Sequence, residues 1–147
     1  MSGLKLVRRM AARPATVFEA ITTSQGISQW FGPDAGPVLI AEMDLRVGGR
    51  FKARFRMLDD TEHECSGTIL ELEPPTLLTM TWQWLGREAD GESRVQFLLR
   101  PTAQGTELIF THTQLPSEDA ARDHERGWNG AFDKLERYTN TAQSTAR

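Results

Sequence analysis

The side chains in this chain with the widest chemistry are three histidines, His63, His112 and His124, and one cysteine, Cys65. His112 closes an alternating stretch in which Thr106, Leu108, Phe110 and His112 share one face. The alternation predicts a strand with His112 pointing inward. An imidazole with an ordinary pKa of about 6.5 could orient a ligand there or shuttle protons. It could equally be a core histidine satisfied by a carbonyl or a helix side chain. Acid–base use would need a polar partner, and Glu125 and Gln114 are the candidates. His124 and Glu125 stand one helical turn before Trp128 and are assigned to a solvated helix face. His63 lies near a turn and is expected to be exposed.

The spacings argue against most catalytic machinery. No H-x-x-x-H or C-x-x-C pair occurs, so no metal centre is expected. Val47-Gly48-Gly49-Arg50 lacks the lysine and the strand-to-helix setting of a phosphate loop. Ser66 and Ser93 lack the glycine flanks of a nucleophile elbow. Cys65 and His63 share a strand face but have no third member to complete a nucleophilic site. No catalytic residue, metal or cofactor is therefore assigned. With one cysteine an intrachain disulfide is impossible, which suits a reducing compartment.

The aromatic residues carry more information. Trp30, Phe31, Phe51, Phe55, Trp82, Trp84, Phe97, Phe110, Trp128 and Phe132 fall on the predicted inner faces. Together with His112 they are the candidate ligand-binding set. An apolar wall with a few polar groups is the usual make-up of a small-molecule site. The plainer alternative is that the rings fill the core by contact.

These residues need elements to position them. Leu4 to Ala11 alternates as a strand and stops at Arg13-Pro14. Pro14 suits the first turn of a helix carrying Val17, Phe18, Ala20 and Ile21. Thr22, Thr23 and Ser24 break it and cap a second short helix, which Gly32-Pro33 ends. Strands are predicted over 38–44, 51–57, 62–73 and 76–85, then around 95–99 and 106–112. In the second of these, Phe51, Ala53, Phe55 and Met57 alternate with Lys52, Arg54 and Arg56. That basic face is assigned to solvent, not to nucleic acid, because the aromatics that would stack on bases lie opposite. After Ser117, residues Ala121, His124, Trp128, Ala131, Phe132, Leu135 and Tyr138 recur at helical spacing. The fold class is therefore α+β. A curved antiparallel sheet of about six or seven strands wraps a long C-terminal helix, with two short helices after the first strand. Residues 1–140 form one domain and 141–147 a polar tail.

The net charge of −3 gives no general attraction to nucleic acid or anionic membranes. No apolar run approaches a membrane span, and the N-terminus has no signal-like stretch. A cytoplasmic protein is the resulting expectation.

Motifs distributed along the chain bring a family into view. They are Arg-Pro-Ala-Thr-Val-Phe-Glu-Ala-Ile-Thr (13–22), Trp30-Phe31, Val47-Gly48-Gly49-Arg50-Phe51, and Gly67 through Pro74-Pro75. They continue with Thr81-Trp82, Gly105-Thr106 through His112, and Gly127-Trp128 with Leu135. In this order they resemble the heat-shock protein 90 ATPase activator-like family, within the superfamily of START and birch-pollen-allergen-like domains. The resemblance implies a helix-grip fold and, from the family name, a stress-response setting. It does not fix one function, because this fold hosts carriers, receptors, enzymes and co-chaperones. No counterpart of the separate N-terminal domain of a full chaperone activator is expected within these 147 residues.

The expectation is a non-catalytic binder of a hydrophobic or aromatic small molecule, enclosed between sheet and helix and oriented by His112. The Gly32–Gly36 segment and the Gly86–Gly91 loop are the expected mobile elements. One alternative is a cyclase- or hydrolase-type enzyme using His112. Another is a protein-interaction module with a filled core. Homodimerisation through a sheet edge or the helix is compatible with all three.

Overall fold

The computed structural model describes residues 2–145, with side chains described through residue 142. Seven strands form one antiparallel sheet: β1 (Ser2–Met10), β2 (Val38–Met43), β3 (Arg50–Arg56), β4 (Glu62–Glu73), β5 (Leu77–Trp84), β6 (Ser93–Thr102) and β7 (Gly105–Leu115). Their spatial order is β1-β7-β6-β5-β4-β3-β2. After β1 come α1 (Pro14–Thr22) and α2 (Ser24–Trp30), and the chain ends in α3 (Glu118–Thr145). This is the predicted α+β helix-grip architecture. Residues 141–145, read as tail, continue the α3 backbone, and residues 146 and 147 lie outside the described residues. Among the described residues no helix is long and apolar enough to cross a membrane.

Local chemistry explains the elements. On β3, Phe51, Ala53 and Phe55 are buried while Lys52 and Arg56 are exposed, as a half-buried strand requires. Pro14 opens α1, where a missing N–H costs nothing. The Thr23 side chain accepts from the Gly26 amide at 3.0 Å and caps α2. The Ala120 amide donates to the Ser117 hydroxyl at 3.1 Å, so Ser117 caps α3 as its type suggested.

α3 lies against the inner face of the sheet. Its central part buries Trp128, Ala131, Phe132 and Leu135 against Phe97, Leu99, Leu108 and Phe110. At the sheet edge, Arg8 of β1 donates to Asp133 at 2.6 Å and to Glu136 at 3.2 Å. Arg8 thus ties the first strand to the last helix. By strand alternation Arg8 shares the face of Leu4 and Leu6.

The segment between α2 and β2 also meets α3, and two glycines test that contact. A Cβ on Gly130 would stand 2.1 Å from the Pro33 carbonyl oxygen; on Gly127 the nearest atom would be the Pro33 Cβ at 3.7 Å. Alanine is favoured over glycine by about 1 kcal/mol in a helix interior. Gly127→Ala should therefore raise stability by up to that amount, and Gly130→Ala should lower it. Urea midpoints decide the matter; equal gains at both positions would show that α3 does not press on Pro33.

Candidate functional site

A cavity of about 640 Å³ opens between the first half of α3, the Phe31–Asp34 segment and the ends of β3, β4 and β5. That volume suits a small organic molecule. Of the eleven predicted ligand-binding residues, Phe31, Phe55, Trp82, Trp84 and Trp128 line it. Their rings meet edge-on or tilted, with Phe31–Phe55 centroids 5.6 Å apart and Trp82–Trp128 centroids 5.1 Å apart. Such contacts hold the wall in shape.

The other six, Trp30, Phe51, Phe97, Phe110, His112 and Phe132, are buried behind that wall. Phe110 packs on Trp128 at 4.4 Å and on Phe132 at 5.1 Å. Trp30 donates its indole N–H to the Ala20 carbonyl at 2.9 Å, locking α2 to α1. The sequence places all eleven on inner faces, but an inner face has both filled and open regions. The open region lies at the end of the sheet formed by β3, β4 and β5.

His112 is fully buried and does not line the cavity. Its partners are neither Glu125 nor Gln114. The Trp128 indole donates to Nδ1 at 3.1 Å, so the proton sits on Nε2, which donates to Ser93 Oγ at 2.7 Å. Ser93 in turn donates to the Trp82 carbonyl at 3.3 Å. Both ring nitrogens are thus occupied. Burial, and secondarily the neighbouring His124, lowers the His112 pKa to about 3. The imidazole is a neutral tie between β6, β7 and α3, with no lone pair facing a substrate.

The cavity histidines are the two assigned to solvent. His124 is part-buried in the wall, because it falls on the same helical stripe as Trp128, four residues away. Its Nε2 accepts from the Trp84 indole at 2.9 Å, and its Nδ1–H donates to the Ala120 carbonyl at 2.7 Å. Burial chiefly lowers its pKa; the Ala120 carbonyl opposes the shift and the Arg87 charge adds to it. His63 faces inward on β4, its ring 5.6 Å from Phe55, and bonds Thr61 Oγ1 at 3.1 Å. The strand alternation that carries Cys65 inward also carries His63, and that signal outranks nearness to a turn.

Asp34, Arg54, Glu62, Glu64, Arg87, Asp123 and Arg126 supply charge to the cavity lining. Arg54 pairs with Glu62 at 2.9 Å and Glu64 at 3.5 Å, Arg56 reaches Glu62 at 3.3 Å, and Arg126 pairs with Asp123. On the basic face of β3, Arg54 and Arg56 are therefore ion-paired, and Arg54 borders the cavity.

The Gly32–Gly36 segment is tied to its surroundings by hydrogen bonds. Asp34 accepts from the Gly36 amide at 2.9 Å and the Leu58 amide at 3.0 Å. Lys134 of α3 donates to the carbonyls of Phe31 and Asp34. Burial lowers the Lys134 pKa, with Asp34 partly offsetting it. The opposite lip, Gly86–Gly91, contains a single 3-10 turn held to its own strand by Gln83, which donates to the Arg87 carbonyl at 3.1 Å. Among the described residues no bond of similar reach ties that lip across the mouth.

One polar atom stands apart. The indole N–H groups of Trp30, Trp84 and Trp128 all have acceptors. That of Trp82 is buried without one among the described residues.

Comparison with known proteins places this geometry. The profile of the family described as "Activator of Hsp90 ATPase homolog 1-like protein" matches residues 11–140. The crystal structure of a Chromobacterium violaceum protein is similar at TM-score 0.86 and 23% identity, covering 93% of this chain and 96% of that one. The AHSA1 protein of Silicibacter pomeroyi is similar at TM-score 0.82 and 26% identity, over 96% and 99%. The solution structure of an AHSA1-like protein from Aeromonas hydrophila gives 0.82 and 22%, over 97% and 94%. No curated protein matches the sequence.

Proposed function

The chain belongs to the activator of Hsp90 ATPase homolog 1-like family, and from that premise we propose that it is a non-catalytic binder of a hydrophobic or aromatic small molecule. Such a family membership supports a ligand-binding or activator-type domain. The observation that carries the finer reading is the aromatic-walled cavity of about 640 Å³ between the sheet and α3. Affinity would come from burying the ligand's apolar surface, at about 25 cal/mol per Å². Trp82, Trp84 and Trp128 would be part of the apolar contact.

The acid–base alternative through His112 finds no support in its surroundings. Both nitrogens are engaged and the ring lies outside the cavity. An interaction module retains one observation in its favour: Leu58 and Leu85 are 71% and 64% exposed, and Leu85 borders the cavity mouth.

Native mass spectrometry of the purified protein, before and after denaturation, separates these readings. A binder should release an additional small mass on denaturation, or gain stability from a panel of apolar compounds. A clean apo mass with no stabilisation by any of them would overturn the binding reading and favour the interaction surface.

A further inference from the structure

Resting on the binding reading above, we propose that the cavity takes apolar carboxylic acids, with the carboxylate at the mouth against the Arg87 guanidinium. The argument starts from charge pairing around the mouth. The lining carries four carboxylates, of Asp34, Glu62, Glu64 and Asp123. Each has a cation near it, with Arg54 shared between Glu62 and Glu64. Arg54 and Arg56 meet Glu62 and Glu64, Arg126 meets Asp123, and Lys134 stands close enough to Asp34 to feel its charge. Arg87 also lines the cavity and makes no ion pair among the described residues. It is the cation left over.

Its position is defined by its backbone. The Arg87 amide donates to the Trp84 carbonyl at 3.1 Å, and its own carbonyl accepts from the Asp90 amide at 3.0 Å. The turn therefore starts directly from the end of β5, and Trp84 next door forms cavity wall. Arg87 is exposed at the mouth, and its charge is felt at His124 in the wall.

Hydrogen-bond chemistry points the same way. The Arg87 guanidinium is a cavity-lining donor with no side-chain hydrogen bond among the described residues. A carboxylate is acceptor-only and an ammonium donor-only, so the acid complements this guanidinium and the amine does not. Arginine also offers a planar fork that matches a carboxylate. The charge would stay at the mouth because burying it among the rings would forfeit its hydration. The apolar body would then lie against the wall to which Phe31, Phe55 and Trp128 contribute.

Three probes with one body test this: 2-naphthylacetic acid, 2-(2-naphthyl)ethanol and 2-(2-naphthyl)ethylamine, titrated calorimetrically into the full chain at low salt. The acid should bind about fivefold tighter than the alcohol, the upper range for a solvent-exposed charge pair, with the amine weakest. Arg87→Gln should bring the acid down to the alcohol's affinity, and Arg87→Lys should keep most of the difference. Alcohol binding to each variant reports that the cavity is still folded. An acid no tighter than the alcohol, or an advantage that survives Arg87→Gln, would overturn the acid proposal and leave the binding reading standing. Failure of all three probes to bind would overturn both.

Discussion

Acidification from pH 7 to pH 4 should strip several kcal/mol of folding stability from this protein. His112 is the main cause. In the unfolded chain its imidazole titrates near 6.5, whereas in the fold burial holds it down to about 3. As pH falls the unfolded state takes up the proton first. The stability contribution is therefore complete above about pH 6.5 and declines through the window down to about 3. The shift corresponds to a loss of order 4–5 kcal/mol at the bottom of that window, about 1.4 kcal/mol per pH unit. His124 is shifted in the same direction by its own burial and adds to the slope. The carboxylates held low by their partners, Glu62 by Arg54 and Arg56 and Asp59 by Thr61, weaken only at lower pH, near and below their ordinary range. A domain of this size has about 5–15 kcal/mol in total, so pH 4 should bring it close to unfolding.

Urea unfolding followed by tryptophan fluorescence at pH 7, 6, 5 and 4 measures the slope. Nitrogen-detected NMR of the imidazoles should show His112 as the neutral Nε2–H tautomer throughout. A stability that stays flat between pH 7 and 4.5 would mean that His112 is hydrated, and its reading as a buried tie would fall. The consequence for function is direct. An imidazole that resists protonation down to about pH 3 is poorly placed to exchange protons near neutrality.

Periodicity carried most of the architecture because burial imposes it. Phe51, Ala53 and Phe55 on β3, and Trp128, Phe132 and Leu135 on α3, can only be buried if a sheet face meets a helical stripe. The ordering of strands followed from short turns, which force antiparallel neighbours. What periodicity does not encode is depth. It assigns Phe110 and Phe55 alike to an inner face, yet one lies behind the wall and the other forms it. The difference comes from sheet curvature, which depends on register shifts such as those between Ile69 and Glu71 on β4 and between Val38 and Ile40 on β2. Histidine environments were legible only where spacing was weighed ahead of residue type. His124 stands four residues before Trp128 and two turns before Ala131, which is a wall position, although its polarity suggested solvent. The partner of His112 was beyond reach, since Ser93 lies nineteen residues away across the β6–β7 ladder.

The division between wall and core leads to the second large effect. Phe110→Ala should cost about 3–5 kcal/mol, the range for deleting a fully buried phenyl ring. Phe110 is 0% exposed and supports Trp128, Phe132 and Phe97 at 4.4, 5.1 and 5.0 Å. Its loss should be read in stability, whatever the ligand. Gly127→Leu should do the opposite. Gly127 lines the cavity, and a Cβ there meets nothing closer than Pro33 Cβ at 3.7 Å, so a larger side chain has room to enter. Leucine is a better helix former than glycine by close to 1 kcal/mol, and helical side chains lean toward the preceding turn, here Asp123 and His124 at the mouth. The variant should therefore be at least as stable as the parent while binding of 2-(2-naphthyl)ethanol falls by about tenfold or more, the worth of roughly 1.4 kcal/mol. Stability and binding moving in opposite directions at Gly127 is an outcome that a filled core cannot produce. In a filled core the added leucine would overpack and destabilise by about 1–3 kcal/mol. Urea midpoints and calorimetric titration on the same two variants decide between a protein that holds its aromatics for their own packing and one that holds part of them open for a guest.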